Sequence, residues 1–151
     1  MITIGIRAEP RGLTFAIYDA DEPRVINVEM IRIPAAFSTP EGLKYVRSNL
    51  LDVLREYEVI RAGVRVTEPN AQSINIDRVQ IEGVVQEAFA SSTVEGYYVG
   101  QISSITARLG IARTEFKPLV AGERDHPVDG WSELSPQARE AILCAQGAVH
   151  V

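Results

Sequence analysis

The sequence predicts one α/β domain spanning residues 1–151, built from three strands, a helix, a strand, a helix, a strand and then further helices. Three observations predict it. The first 33 residues alternate between apolar and polar positions, which is typical of strands. Two later segments have apolar residues at helical spacing, and each is followed by a short β-rich run. The length of 151 residues is that of one ordinary domain.

The three opening strands are predicted at residues 2–6, 13–18 and 25–33. Short turn sequences separate them, Glu-Pro-Arg-Gly after the first and Asp-Glu-Pro after the second. Consecutive strands joined by such short turns form an antiparallel meander.

A helix is predicted to begin at Thr39 as N-cap, with Pro40 at its first position and apolar residues recurring up to Tyr57. A strand is predicted at 60–67, a second helix at 76–90, and a fifth strand at 94–99. Helical crossovers between strands of one sheet make those strands parallel. The sequence therefore predicts a mixed five-stranded sheet with helices on both faces.

Glycine and proline divide the remaining sequence. Gly83, inside the second helix, predicts a close approach of that helix to the sheet. A short helix is expected to end at Gly110, and residues 111–134, with two prolines and two glycines, are expected to be irregular. Ser135 and Pro136 predict the start of the last helix.

Composition narrows the possible functions. The formal net charge is −5, which argues against a protein that coats nucleic acid but leaves room for a local basic groove. Cys144 is the one cysteine, in an apolar context, so we expect a buried thiol and no internal disulfide. No apolar run is long enough to span a membrane and no signal-peptide pattern is present, so the expected location is cytoplasmic.

Two glutamates are candidates for a functional site. Glu68 follows the fourth strand, where functional groups of such sheets gather, and Glu140 lies on the last helix between small residues. Carboxylate oxygens suit hard cations. Each residue also has a structural interpretation, because Glu68 could be a turn acid beside proline and Glu140 a solvent-facing helix acid.

At the first strand, the position that would face these acids is Arg7. A cation there would repel a metal ion, so we expect Arg7 to form an ion pair with Glu68. Glu9, two residues on and so on the same strand face, could instead supply a displaced carboxylate. Asp125 and Asp129 could add ligands if residues 111–134 fold over the site.

This order of elements, with acids at those places, resembles the ribonuclease H-like superfamily, and within it the RuvC-like Holliday-junction resolvases. The resemblance covers residues 2–149. The first strand is similar to the opening Gly-Ile-Asp-Pro-Gly strand of that family, and residues 81–85 resemble its glycine-containing helix. The other matching stretches are Val66-Thr67-Glu68-Pro69 and Ala138-Arg139-Glu140-Ala141-Ile142.

The resemblance implies hydrolysis of phosphodiester bonds by two divalent ions, Mg²⁺ or Mn²⁺. It implies Glu68 and Glu140 as catalytic metal ligands. Glu9, which matches no family position, is the candidate third because of its place on the first strand. The chain departs from the family at two places. Arg7 stands where the family has its first-strand aspartate, and Gln137 stands where a further acid or histidine is expected.

Three functions remain open from the sequence. One is a non-catalytic or weakly active member that binds structured DNA, RNA or a protein. Another is an active metal-dependent nuclease using Glu9, Glu68 and Glu140. The third, an actin-like or sugar-kinase-like phosphate binder, is disfavoured because the first turn contains only Gly12. A homodimer is also expected, because two copies could protect the outer edge strand of the meander.

Overall fold

The first 33 residues form the three strands that their alternation predicts. The structure, a computed structural model, describes residues 1–151. Strand β1 spans Ile2–Glu9, β2 spans Gly12–Asp19 and β3 spans Arg24–Arg32. β1 pairs antiparallel with β2, and β2 pairs antiparallel with β3. The antiparallel meander is therefore confirmed.

Two parallel strands extend the sheet on the other side of β1. β4 spans Arg61–Arg65 and pairs with β1, and β5 spans Gly96–Gly100 and pairs with β4. The strand order is β3-β2-β1-β4-β5. Because β1, β4 and β5 run in the same direction, their carboxyl ends meet at one edge. We call this the carboxyl edge, and the opposite one the amino edge.

Helices cover both faces of the sheet, as predicted. Helices α1 (Thr39–Glu56) and α2 (Ile76–Ala90) pack on one face, over the alternate apolar residues of β1. Helix α5 (Pro136–Gly147) packs on the other face, supported by α3 (Ile102–Leu109) and α4 (Phe116–Ala121). Each face thus has its own buried apolar layer.

The N-cap of α1 lies one residue before the predicted one. Ser38, not Thr39, is the N-cap, and its hydroxyl accepts a hydrogen bond from the Glu41 amide while the Glu41 carboxylate accepts one from the Ser38 amide. This reciprocal capping box satisfies two amides that the helix leaves unpaired. Serine and threonine are both favoured N-caps, so the sequence alone did not show which of Ser38 and Thr39 caps the helix.

Residues 111–134 are more ordered than predicted. They contain α4 and two single 3₁₀ turns, and Phe116, Leu119 and Trp131 are buried against α5. The sequence did not predict the short helix α4, because a proline, Pro118, lies within its six residues. Pro118 is in the first turn, where a backbone amide does not yet donate a hydrogen bond within the helix.

The expectation about Gly83 was wrong. Gly83 faces solvent, and a methyl group added there would meet no atom within 4 Å, so this glycine does not bring α2 closer to the sheet. Helix α5 is buried on nearly all sides, because the sheet lies beneath it and α3 and α4 lie against it. No helix combines the length and apolar character needed to cross a membrane.

Candidate functional site

Helix α5 touches the backbone of the sheet, and this contact places Glu140. A side-chain carbon on Gly5 of β1 would overlap the carbonyl oxygen of Ala141 and the amide of Ala145. Gly63 of β4 likewise leaves room for Cys144 and the ring of Tyr98. Two glycines side by side in the central strands therefore let the helix sit directly on them. Glu140, one residue before the contact, consequently lies over Arg7, two residues beyond Gly5.

Glu140 is held by two arginines from adjacent strands. Arg7 donates from Nε to Glu140 Oε2 at 2.6 Å, and Arg65 donates from Nε to Oε1 at 3.3 Å. Only 10% of the Glu140 side chain is exposed. The expectation of a solvent-facing helix acid is therefore wrong. Both carboxylate oxygens are occupied by guanidinium groups.

Arg65 also binds Glu68. Its Nη1 lies 3.3 Å from Glu68 Oε2, while Glu68 Oε1 accepts from the amide of Ile102 at 3.3 Å. The Arg65 guanidinium lies 5.4 Å from the ring centroid of Phe116, within cation–π distance. Glu68 therefore links the end of β4 to the start of α3. The predicted ion pair between Arg7 and Glu68 is therefore wrong. Arg7 pairs with Glu140, and Glu68 pairs with Arg65.

A third pair extends the arrangement onto α2. Glu82 is buried, and its Oε2 accepts from both the amide and the hydroxyl of Thr67 at 2.9 Å. Arg78, one turn earlier, places Nε 3.0 Å from the same oxygen. Burial lowers the pKa of the Arg78 guanidinium from its ordinary value, and the nearby positive charge of Arg7 lowers that pKa further.

These side chains form two groups of ion pairs, which we together call the arginine–glutamate cluster: one group links Arg7, Glu140, Arg65 and Glu68, and the other is the Arg78–Glu82 pair. Its members are Arg7, Arg65, Arg78, Glu68, Glu82 and Glu140. Three positive and three negative charges balance. Each charge is largely removed from water, so the cluster is stable only because every charge lies beside an opposite one.

The cluster does not fit a divalent metal ion. Nowhere in the chain do three or more His, Cys, Asp or Glu side chains come together to hold one. Glu68 and Glu140, the predicted ligands, share Arg65 instead. An ion that approached them would meet the guanidinium groups of Arg7 and Arg65, and like charges in a low-dielectric site repel strongly.

The other predicted ligands lie apart from the cluster. The side chain of Glu9, on β1, makes no ion pair or hydrogen bond, and it lines a groove together with Arg11 and Arg32. Asp125 and Asp129 are exposed, and Asp129 lines a groove of about 570 Å³ that runs along β3. The structure therefore does not bring Glu9, Glu68 and Glu140 together at one site.

Sequence reasoning missed three members of the cluster. Arg65 stands inside the apolar strand run Ala-Gly-Val-Arg-Val, and a charge at that place was a signal that it needs a buried partner. Arg78 and Glu82 are spaced i, i+4 on one helix, which is the spacing of an ion pair. That pattern is common on exposed helices, so it did not mark these two as buried.

The two edges of the sheet differ in charge. The carboxyl edge carries the cluster and, beside it, the exposed Arg11 in the turn after β1 and Arg32 at the end of β3. At the amino edge, acids predominate, with only a few basic groups such as Arg24 and Arg61 among them. These acids are Asp19, Asp21, Glu22, Glu58 and Glu95.

Comparison with known proteins gives a likeness of fold. No protein-family model and no curated protein sequence matches the chain. Among solved structures, RuvC of Thermus thermophilus aligns with a TM-score of 0.69 at 16% identity, over 97% of this chain and 92% of that one. The same protein in complex with a Holliday junction substrate aligns with a TM-score of 0.75 at 15% identity, over 97% and 91%. The chain therefore has the ribonuclease H-like fold in its RuvC-like form.

Proposed function

We propose that this chain is a non-catalytic ribonuclease H-like domain that binds structured nucleic acid at the carboxyl edge of its sheet. The observation that carries the proposal is the pairing of Glu140 with both Arg7 and Arg65. The acids that could have served hydrolysis are bound by arginines, while the fold around them is retained. A fold can persist without its chemistry because packing maintains it.

Hydrolysis by two metal ions needs carboxylates that hold each ion and still leave coordination positions open. Here both oxygens of Glu140 and both oxygens of Glu68 already accept hydrogen bonds. An active nuclease built on Glu9, Glu68 and Glu140 would need Arg7 and Arg65 to leave. Moving buried arginines away from their partners costs several kcal/mol, on the order of 3–5 per broken pair. This cost favours a binding role.

Nucleic acid is the partner that the carboxyl edge suits. The solved structure with the higher of the two TM-scores is a complex with a Holliday junction. Arg11 and Arg32 are exposed at the same edge as the cluster. Arg113 and Lys117, which flank Phe116 in the sequence, are also exposed, and the ring of Phe116 lies 5.4 Å from the Arg65 guanidinium. Such a local basic surface can contact phosphates although the whole chain is acidic.

Fluorescence anisotropy with labelled four-way junctions, duplexes and single strands, in EDTA, tests binding directly. We expect the junction to bind most tightly. The double variant Arg11→Glu with Arg32→Glu should weaken binding at least tenfold and flatten its salt dependence. The matched double variant Arg24→Glu with Arg55→Glu, which makes the same charge change away from this edge, should bind as the wild type does. Equal weakening by both variants would mean that net charge, not this edge, controls binding.

A cleavage assay tests the non-catalytic part of the proposal. Wild-type protein with Mg²⁺ or Mn²⁺ should leave four-way junctions, single strands and RNA–DNA hybrids intact. Metal-dependent cleavage that disappears in Glu68→Gln would overturn the proposal, because it would require a working ion at that carboxylate.

A homodimer also remains a prediction. β3 forms one outer edge of the sheet, and pairing of two copies there would protect its free backbone groups. Sedimentation equilibrium distinguishes the two states, and a single species at the chain mass of 16.6 kDa would contradict the dimer.

A further inference from the structure

A groove at the carboxyl edge lies at the ends of β1, β2 and β3. Its volume is about 320 Å³, and it is lined by Glu9, Arg11, Gly12, Met30 and Arg32 together with buried apolar residues of β2 and β3. Glu9 on β1 is in register with Gly12 on β2, and Gly12 is in register with Arg32 on β3. Two opposite charges therefore flank a position that has no side chain.

The backbone requires glycine at position 12, and this keeps the groove open. Gly12 has a φ of +152°, and a side-chain carbon there would overlap the carbonyl oxygen of Ile31. Glu9 and Arg32 are two strand spacings apart, which places their backbones roughly 9–10 Å from each other. An aromatic ring, which is one atom thick, can therefore enter between the two side chains.

The two walls of the groove differ in chemistry. On β3, Arg32 Nη2 lies 3.8 Å from the Met30 sulfur, and half of Met30 is exposed. A guanidinium group and a thioether both pack favourably on aromatic rings. On β1, the Glu9 side chain makes no ion pair or hydrogen bond, so its two oxygens are free to accept. Arg11 donates to the carbonyl of Pro34 at 2.8 Å, which ties this exposed side chain to the segment after β3.

We propose that this groove takes an unpaired guanine of a bound nucleic acid and that Glu9 accepts hydrogen bonds from its Watson–Crick edge. The inference rests on the proposed function and assigns the base that the same edge of the sheet selects. Guanine presents two neighbouring donors, the ring N1–H and the exocyclic amine, which match the two oxygens of one carboxylate. Adenine and cytosine present one donor beside a ring-nitrogen acceptor, and thymine and uracil have a carbonyl on each side of their N–H. A carboxylate repels those acceptors, so the groove favours guanine.

The charges around the groove suit a nucleotide. Arg11 and Arg32 are exposed cations that attract a phosphate, whereas Glu9 attracts only the donor edge of a base. The base therefore enters beside Glu9 while its backbone lies on the two arginines. A basic peptide would suit Glu9 but would be repelled by both arginines. Charge complementarity thus selects a nucleotide whose base carries donors.

The two methionines of the chain provide a test that needs no variant. Met30 lines the groove, whereas Met1 lies at the amino edge beside Asp19 and Asp21. In protein labelled with ¹³C at the methionine methyl groups, an oligothymidine with one guanine should shift the Met30 signal through the ring current of the base and leave Met1 unchanged. The same strand with thymine throughout should shift Met30 much less. An unmoved Met30 signal, or equal shifts with both strands, would overturn the guanine site.

Fluorescence anisotropy measures the selectivity. The probes are four-way junctions with one unpaired guanine, inosine or thymine at the branch point, and inosine lacks the exocyclic amine. A good pair of hydrogen bonds to a base edge discriminates by about tenfold. The wild type should prefer guanine over thymine by about that factor, with inosine between them. Glu9→Gln should reduce the preference to about twofold and leave the salt dependence unchanged, because the phosphate contacts remain. The matched control Glu56→Gln, at an exposed position of α1, should keep the wild-type preference.

The outcomes separate this inference from the proposed function. If the wild type binds all three junctions equally, or Glu9→Gln keeps the full preference for guanine, the inference fails while the proposed function stands. If the wild type binds none of the junctions, both fail.

Discussion

Helices α5 and α2 each bring a glutamate to the same cluster from opposite faces of the sheet, but they are packed very differently. Helix α5 is buried continuously from Ala138 to Ala145, and Glu140 lies within that buried stretch. Helix α2 buries one side only. Its other side exposes Ile76, Val79 and Gly83 to solvent.

The difference shows two ways of placing a buried acid. Glu140 is positioned by main-chain contact, because Gly5 lets α5 touch β1 and leaves the helix little freedom to shift. Glu82 is positioned by hydrogen bonds from Thr67. A rigid helix suits a carboxylate that must meet two arginines at once. A helix packed on one side suits the part of the cluster that still has unsatisfied donors, at Arg78.

The largest effect is expected for Glu140→Gln. The amide keeps the shape of the carboxylate but leaves Arg7 and Arg65 without their shared negative partner. Breaking a buried ion pair costs about 3–5 kcal/mol of unfolding free energy, measured by urea denaturation. The matched variant on α2 is Glu87→Gln, which removes an exposed partner of Arg47 and should change stability far less. Similar losses in the two variants would mean that the cluster is more hydrated than its burial indicates.

Gly5→Ala tests the main-chain contact. The added methyl group would overlap the backbone of α5, so helix and strand must move apart. Overpacking of this kind costs about 3 kcal/mol. The same shift should separate Glu140 from Arg7, which NMR of the Arg7 Nε–H group would detect. A variant as stable as the wild type would show that α5 can slide without loss.

The sequence was sufficient for the sheet and most helix boundaries because those depend on local patterns. Alternation marked β1 to β3, and the Ser135-Pro136 pair marked the start of α5 within one residue. The same patterns do not report how closely two elements approach. Gly83 was expected to mark a close contact and faces solvent, whereas Gly5 makes the closest one and looked like any strand glycine.

The candidate site was predictable only in part. Glu68 and Glu140 were found because they resemble family positions, and the structure brings both to Arg65. Their shared partner Arg65 was not found, because its ion pair with Glu140 joins β4 to α5 across 75 positions of the sequence. No local pattern records such a pairing.

The pH dependence of stability at Cys144 tests whether solvent reaches the buried side of α5. Burial raises the pKa of its thiol to about 12, against an ordinary value of 9.0. The unfolded chain therefore loses this proton at lower pH than the folded chain does. The resulting stability is present below about pH 9 and is lost as the pH rises towards 12. Between pH 9 and 10 the unfolding free energy should fall by about 1 kcal/mol more in the wild type than in Cys144→Ala. Parallel pH profiles would mean that solvent reaches the thiol.

The smallest effect is expected for Gly83→Ala, and its effect on the unfolding free energy should have the opposite sign to that of Gly5→Ala. Gly83→Ala places a methyl group in open space on α2 and replaces the poorest non-proline helix former with the best. It should raise the unfolding free energy by up to about 1 kcal/mol in urea denaturation. Gly5→Ala makes the same chemical change and should lower it. A loss at Gly83 as well would indicate that this exposed face of α2 is covered in solution, and a concentration-dependent Tm of the wild type would identify a second copy of the chain as the cover.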